Sequence, residues 1–173
     1  MPPFKRFRNS DTLLPVSGKG TGMKENKALT EKTVAYFSEG YNCAQSVLLT
    51  MFEYWNGKSD LVPKIAACFG GGIGRCGSVC GGVTGGVMAL GIKFGTNGTS
   101  SEEKKKAYEI AQQFYKRFER ENGSVLCREL IGYDLSDPEE LENARRSKAF
   151  ETKCRALVAN AVRTLLELTE DSR

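Results

Sequence analysis

From residue 30 onward, apolar side chains recur three or four positions apart, in stretches separated by glycine, proline or Asn-Gly breaks. That spacing puts them on one face of an α-helix. Thr30 is placed to cap a first helix running to Ser38, with Val34, Ala35 and Phe37 apolar and Glu39-Gly40 as its stop. Asn42 caps a second helix, and Gln45 three residues on completes a capping box. Its apolar face is Ala44, Val47, Leu48, Met51, Phe52 and Trp55, and Asn56-Gly57 ends it. Val62-Pro63 opens a third, short helix carrying Ile65, Ala66, Ala67 and Phe69, since proline is tolerated in a first turn.

The segment from Gly70 to Gly77 holds too many glycines for a stable helix and is expected to be irregular. A fourth helix starts near Cys80 and reaches Phe94. Gly81/Gly85 and Gly82/Gly86 form two adjacent rows along it. At about 1 kcal/mol lost per glycine, such rows imply that another helix or a cofactor approaches this backbone closely. A long amphipathic helix follows from Ser101 to Asn122, with Ala107, Ile110, Ala111, Phe114 and Phe118 on its core face and Gly123 after it. Ser124 caps a short helix through Cys127 to Ile131, closed by Gly132, and Asp137-Pro138-Glu139-Glu140 begins the next. The last helix carries Cys154, Leu157, Val158, Ala161, Val162, Leu165 and Leu166 on one stripe. No stretch alternates with the period of a strand. The expected fold is all-α: a compact bundle of five to eight helices with a Gly-rich loop and a Gly-rich helix at its centre. Residues 1–22 lack apolar periodicity and read as a flexible leader, leaving 23–173 as a single helical domain.

Composition narrows the chemistry. The 173 residues carry a net charge of +4, and 27% are charged, with the signs interspersed. The only basic cluster outside mixed-sign helices is Lys5-Arg6-Arg8, which argues against nucleic acid as a partner. No membrane span is expected, because the weakly polar run Val79–Ile92 is shorter than the roughly 20 residues a bilayer needs. The chain contains no histidine. That removes imidazole general-base catalysis, Ser-His and Cys-His nucleophiles, mixed Cys/His zinc sites and Rieske centres.

Six cysteines remain: Cys43, Cys68, Cys76, Cys80, Cys127 and Cys154. With no secretory signal, a cytoplasmic location and reduced thiols are expected. Cys43 and Cys80 stand at helix starts, where the helix dipole and free N–H groups favour a thiolate, so both are expected to have lowered pKa values, and Cys127 more weakly so. Cys154 lies on an apolar stripe, where a packing role competes with ligation of a buried cluster. Cys68, among Ala66, Ala67 and Phe69, reads as packing. Cys76 and Cys80 form a Cys-x3-Cys pair able to make a disulfide or share a metal. There is no Cys-x2-Cys knuckle, so zinc ribbons and thioredoxin-like sites are disfavoured.

Four stretches together resemble a known family: Gly40-Tyr41-Asn42-Cys43-Ala44-Gln45, Phe69-Gly70-Gly71-Gly72-Ile73-Gly74-Arg75, Cys80-Gly81-Gly82-Val83-Thr84-Gly85, and Cys127-Arg128-Glu129-Leu130-Ile131-Gly132-Tyr133, followed by Cys154. The chain is similar over Thr30–Leu168 to the C-GCAxxG-C-C family, whose members are described as redox-active. The resemblance implies four family cysteines at Cys43, Cys80, Cys127 and Cys154. It further implies a centre for electron transfer or redox sensing, with an iron–sulfur cluster, [2Fe–2S], on those four thiolates as the leading expectation. Gly81, Gly82 and Gly85 would then let backbone N–H groups approach the cluster, and Arg75 would offset its charge. Gly82 stands where the family usually has Ala, and Cys68 and Cys76 are additions to the pattern; Cys76 could replace or join Cys80. Two alternatives stay open. One is a metal-free thiol–disulfide oxidoreductase; the other is a non-catalytic metal-binding accessory module linked to transport. A redox partner protein is implied without being identified, and a homodimer is compatible with the Gly rows.

Overall fold

The computed structural model describes residues 22–170. The leader expected over residues 1–22, with its basic cluster, lies outside the described residues up to residue 21, and Gly22 already belongs to the first helix. The helices are α1 (Gly22–Ser38), α2 (Cys43–Tyr54), a 3₁₀ helix (Lys64–Phe69), α3 (Gly81–Phe94), α4 (Ser101–Asn122), α5 (Cys127–Ile131), α6 (Pro138–Arg146), a π-turn (Phe150–Cys154) and α7 (Arg155–Glu170). The fold is all-α. Its one β feature among the described residues is an isolated antiparallel bridge between Val79 and Leu126.

Most boundaries follow from local chemistry. The Asn42 side chain accepts from the N–H groups of Ala44 and Gln45, while Gln45 accepts from the N–H of Asn42, so the capping box forms as expected. Asp137 caps α6 with Pro138 in its first turn. Gly123 and Gly132 end α4 and α5 in the left-handed conformation.

Four expectations need correction. Thr30 is not a cap but lies inside α1, its hydroxyl donating to the Lys27 carbonyl at 2.8 Å, because the helix begins eight residues earlier at Gly22. The third helix is 3₁₀ and Pro63 precedes it; the short run before Gly70 closes only tight turns. Leu126, not Ser124, occupies the cap of α5, while Ser124 accepts from the Leu126 N–H at 3.0 Å in the turn before it. The last helix does not run unbroken through Cys154: a π-turn precedes α7.

Two apolar clusters result. The larger gathers α2, α3, α4 and α7 around Leu48, Met51, Phe114, Phe118 and Leu165, and includes Cys80. Α1 lies against α2 and α7, tied by a buried 2.7 Å hydrogen bond from Thr33 to Thr50. The smaller joins α5, α6 and the π-turn through Ile131, Leu135, Ala144 and Ala149, and includes Cys127 and Cys154. Cys43 packs against both. The seam between the clusters is therefore marked by sulfur.

The glycine rows explain how α2 and α3 come so close. A Cβ at Gly85 would sit 2.5 Å from the Ala44 carbonyl oxygen, and one at Gly81 would sit 2.8 Å from the Cβ of Cys43. Both contacts involve groups that cannot swing aside. For the Gly81/Gly85 row the partner demanding glycine is helix α2, and at Gly86 it is the Phe114 ring of α4, 2.5 Å from where a Cβ would sit. Gly82 instead faces α7, where a Cβ would lie 3.5 Å from that of Ala161, an ordinary contact.

Candidate functional site

Cys43 is the first residue of α2, Cys80 caps α3, Cys127 is the first residue of α5, and Cys154 closes the π-turn before α7. Three of the four stand at helix starts, and Cys154 lies inside continuous helix where the π-turn passes into α7. The Val79–Leu126 bridge holds two of these starts side by side: the Cys80 N–H donates to the Val125 carbonyl at 2.8 Å and the Cys127 N–H to the Ser78 carbonyl at 2.7 Å. Cys127 also needs Gly72, since a Cβ there would fall 2.7 Å from its own. On the other side, Cys43 packs against the smaller cluster that holds Cys154, and both residues line the same cavity.

These residues border a cavity of about 530 Å³, open to solvent. Cys43, Cys127 and Cys154 line it, and Cys80 is buried just behind. The opposite wall comes from the 3₁₀ helix and the Gly-rich loop, including Cys68, Gly70, Gly71, Gly74 and Arg75. Asn42 ties that wall to α2, its amide donating to the carbonyls of Ala66 at 3.3 Å and Ala67 at 2.8 Å. The loop winds through left-handed conformations not only at glycines but also at Ile73 (φ 63°) and Arg75 (φ 70°). Such backbone is costly for residues with a side chain and clusters at functional sites.

The thiols differ sharply in acidity. Hydrogen bonding to Cys154 and burial push Cys43 well above the ordinary thiol range. Burial pushes Cys80 up to about 11, although the N–H groups of Gly82 and Val83 near its sulfur pull the other way. Burial, with the neighbouring Cys80 and Cys154, pushes Cys127 up to about 12. Cys154 is lowered, because the Cys43 thiol donates to it and outweighs its own burial. The expectation of lowered values at Cys43, Cys80 and Cys127 is therefore corrected: desolvation of a small buried anion exceeds what a helix N-terminus returns. Cys154, which looked like a core residue in sequence, is the one of the four whose thiol is shifted downward.

Cys68 is also corrected. It is exposed on the 3₁₀ helix and lines the cavity instead of packing in the core. Cys76 is exposed, outside the cavity, and makes no disulfide with Cys80; all six cysteines carry free thiols. Arg145 of α6 and Phe150 of the π-turn line the cavity as well, and sequence reasoning singled out neither. An arginine in a mixed-charge helix gives no local signal. Among the described residues no three Cys, Asp or Glu side chains are grouped to hold a single metal ion. No helix among them is long and apolar enough to cross a membrane.

A helical scaffold that brings Cys43, Cys127 and Cys154 to the lining of one cavity, with Cys80 buried nearby, fits a cysteine-centred redox protein by class. The chain belongs to the family described as "Putative redox-active protein (C_GCAxxG_C_C)", whose profile matches residues 41–168 and so includes all six cysteines. No curated protein and no solved structure matches the chain.

Proposed function

We propose that the protein is a thiol–disulfide redox protein whose working pair is Cys43 and Cys154. The observation that carries this reading is geometric: Cys43 and Cys154, from separate elements, line one cavity and pack in the same apolar cluster, and the Cys154 thiol is lowered where that of Cys43 is raised. Cys154 supplies the thiolate, the form that attacks a disulfide. Cys43 holds the second proton and resolves the mixed disulfide. Oxidation by a disulfide RSSR proceeds in two balanced exchanges. The Cys154 thiolate first forms a bond to one sulfur of RSSR and releases RS⁻. Cys43 then attacks Cys154 Sγ, forms the protein disulfide, and releases the second RS group, which leaves with the Cys43 proton as RSH. Two electrons leave the protein and reduce the disulfide. The buried Cys80 and Cys127, held protonated, stay out of this exchange.

A second reading, an electron-transfer or redox-sensing centre with a [2Fe–2S] cluster, is favoured by a different observation. The four thiols lie near enough to act on one another: Cys154, Cys80 and Cys127 all bear on Cys43, and Cys80 and Cys154 on Cys127. Two cysteines for each of two irons is the donor set such a cluster uses, and it would supply one-electron chemistry there. In that case the N–H groups of Gly82 and Val83 would face a ligand sulfur and stabilise its charge.

Anaerobic purification separates the readings. A colourless protein that loses two thiols reversibly on mild oxidation, with Cys43 linked to Cys154 by peptide mapping, supports the first. Brown protein with iron and acid-labile sulfide, both lost on replacing any one of the four cysteines, overturns it in favour of the second.

A further inference from the structure

The cavity is more selective than a set of thiols requires. Its volume of about 530 Å³ lies in the range of roughly 300–1,000 Å³ typical of small-molecule sites. A disulfide displayed on a folded protein would have to thread a side chain past the rim to reach Cys154, which is only 5% exposed. The walls carry charge of one sign: Arg75 and Arg145 line the cavity, and no Asp, Glu or Lys does.

The two guanidinium groups come from independent elements. Arg75 sits on the Gly-rich loop in left-handed backbone, and its side chain makes no ion pair among the described residues. Arg145 makes a 3.4 Å contact to Glu142 one turn away on α6, with both side chains about half exposed. A pair of that kind contributes little and leaves the guanidinium free to bind elsewhere. The remaining wall is apolar (Phe37, Leu135, Leu141 and Phe150), which strengthens a charge interaction by excluding water. Thiols at the floor, arginines on two walls and apolar surface between them make a complete recognition site.

We infer that the cavity binds low-molecular-weight anionic disulfides, compounds of RSSR type with carboxylates on the R groups, and that Arg75 and Arg145 are the residues that select them. The inference rests on the dithiol reading and names the substrate class of that same site. The arginines hold the carboxylates while the central S–S bond meets the Cys154 sulfur; the exchange that follows is the one written above. Both guanidinium groups also offer the forked donor geometry that matches carboxylates.

The test compares three disulfides of similar size: 3,3′-dithiodipropionate (two negative charges), bis(2-hydroxyethyl) disulfide (neutral) and cystamine (two positive charges). The full chain is used with Cys68→Ser and Cys76→Ser, so that the exposed thiols do not report. Each rate of Cys43–Cys154 disulfide formation is divided by the rate of the same compound with 2-mercaptoethanol. The expected result is a preference of about tenfold or more for the anionic over the cationic compound at low ionic strength, shrinking as salt is added. In the Arg75→Gln/Arg145→Gln variant, with folding checked by circular dichroism, that preference collapses toward unity. Equal normalised rates for all three compounds would overturn the inference and leave the dithiol pair standing. Failure of all three to form the Cys43–Cys154 disulfide would remove the pair itself and the inference with it.

Discussion

Cys43/Cys154 and Cys80/Cys127 are pairs of the same residue type, yet the acidities within them shift in different ways. In the first pair each residue acts on its neighbour, and the Cys43 thiol rises while the Cys154 thiol falls. The second is held by backbone, through the bridge between Val79 and Leu126, and both of its thiols are raised by burial. A helix N-terminus favours a thiolate by a modest amount. A direct donor in a desolvated pocket favours it more, and desolvation without such a donor works against it. Position on a helix therefore says less about a cysteine than what faces its sulfur.

The sharpest way to break this contrast is to remove one member of each pair. Cys154→Ser is expected to abolish reversible two-thiol oxidation, whereas Cys80→Ser leaves it in place; thiol titration before and after mild oxidation distinguishes them. Equal loss in both variants would mean that the four sulfurs act as one unit, as an iron–sulfur centre requires.

Alkylation against pH measures the same contrast in the native protein. With the exposed cysteines replaced, Cys154 is expected to react with iodoacetamide below the ordinary thiol range, while Cys80 and Cys127 stay protected until the pH nears about 11 and about 12. Linkage gives a companion expectation. Thiols whose folded pKa is raised stabilise the fold fully below the unfolded value of about 8.5 and lose that contribution as pH climbs through the folded values. Denaturant midpoints should fall with rising pH over that window, less steeply in Cys80→Ala.

Two substitutions test how the pairs are pressed together. Gly85→Ala puts a methyl against the Ala44 carbonyl, where a Cβ would have only 2.5 Å, and is expected to cost about 1–3 kcal/mol. Gly82→Ala meets nothing closer than 3.5 Å and is expected to stabilise by up to about 1 kcal/mol through helix propensity. Urea denaturation of both variants checks the sign difference; a loss at Gly82 would show that α3 needs space toward α7 as well as toward α2.

The legibility of the molecule in its sequence follows the same division. Asn42 with Gln45, Asp137 with Pro138, and glycines 123 and 132 each act within a few residues, and the helices they delimit stand where the pattern puts them. Thr30 misled because Gly22–Leu29 has no apolar periodicity of its own; tertiary contact along α1 extends the helix through it. Clustering of Cys43, Cys80, Cys127 and Cys154 was readable only as a family pattern, since nothing in their spacing brings them together.

The chain's local order thus determined that this protein is helical, where most helices begin and end, that it carries six cysteines and no imidazole, and that glycines along α3 invite a close neighbour. Tertiary structure alone decided that the neighbour of Gly81 and Gly85 is α2, that the Cys154 thiol is lowered while those of Cys43 and Cys80 are raised, and that Arg75 and Arg145 line one cavity. Caps, periodicity and glycine act over one or two turns and are written in adjacent residues. The charge state of a thiol depends on desolvation and on donors that arrive from distant parts of the chain, and those exist only once the helices have packed.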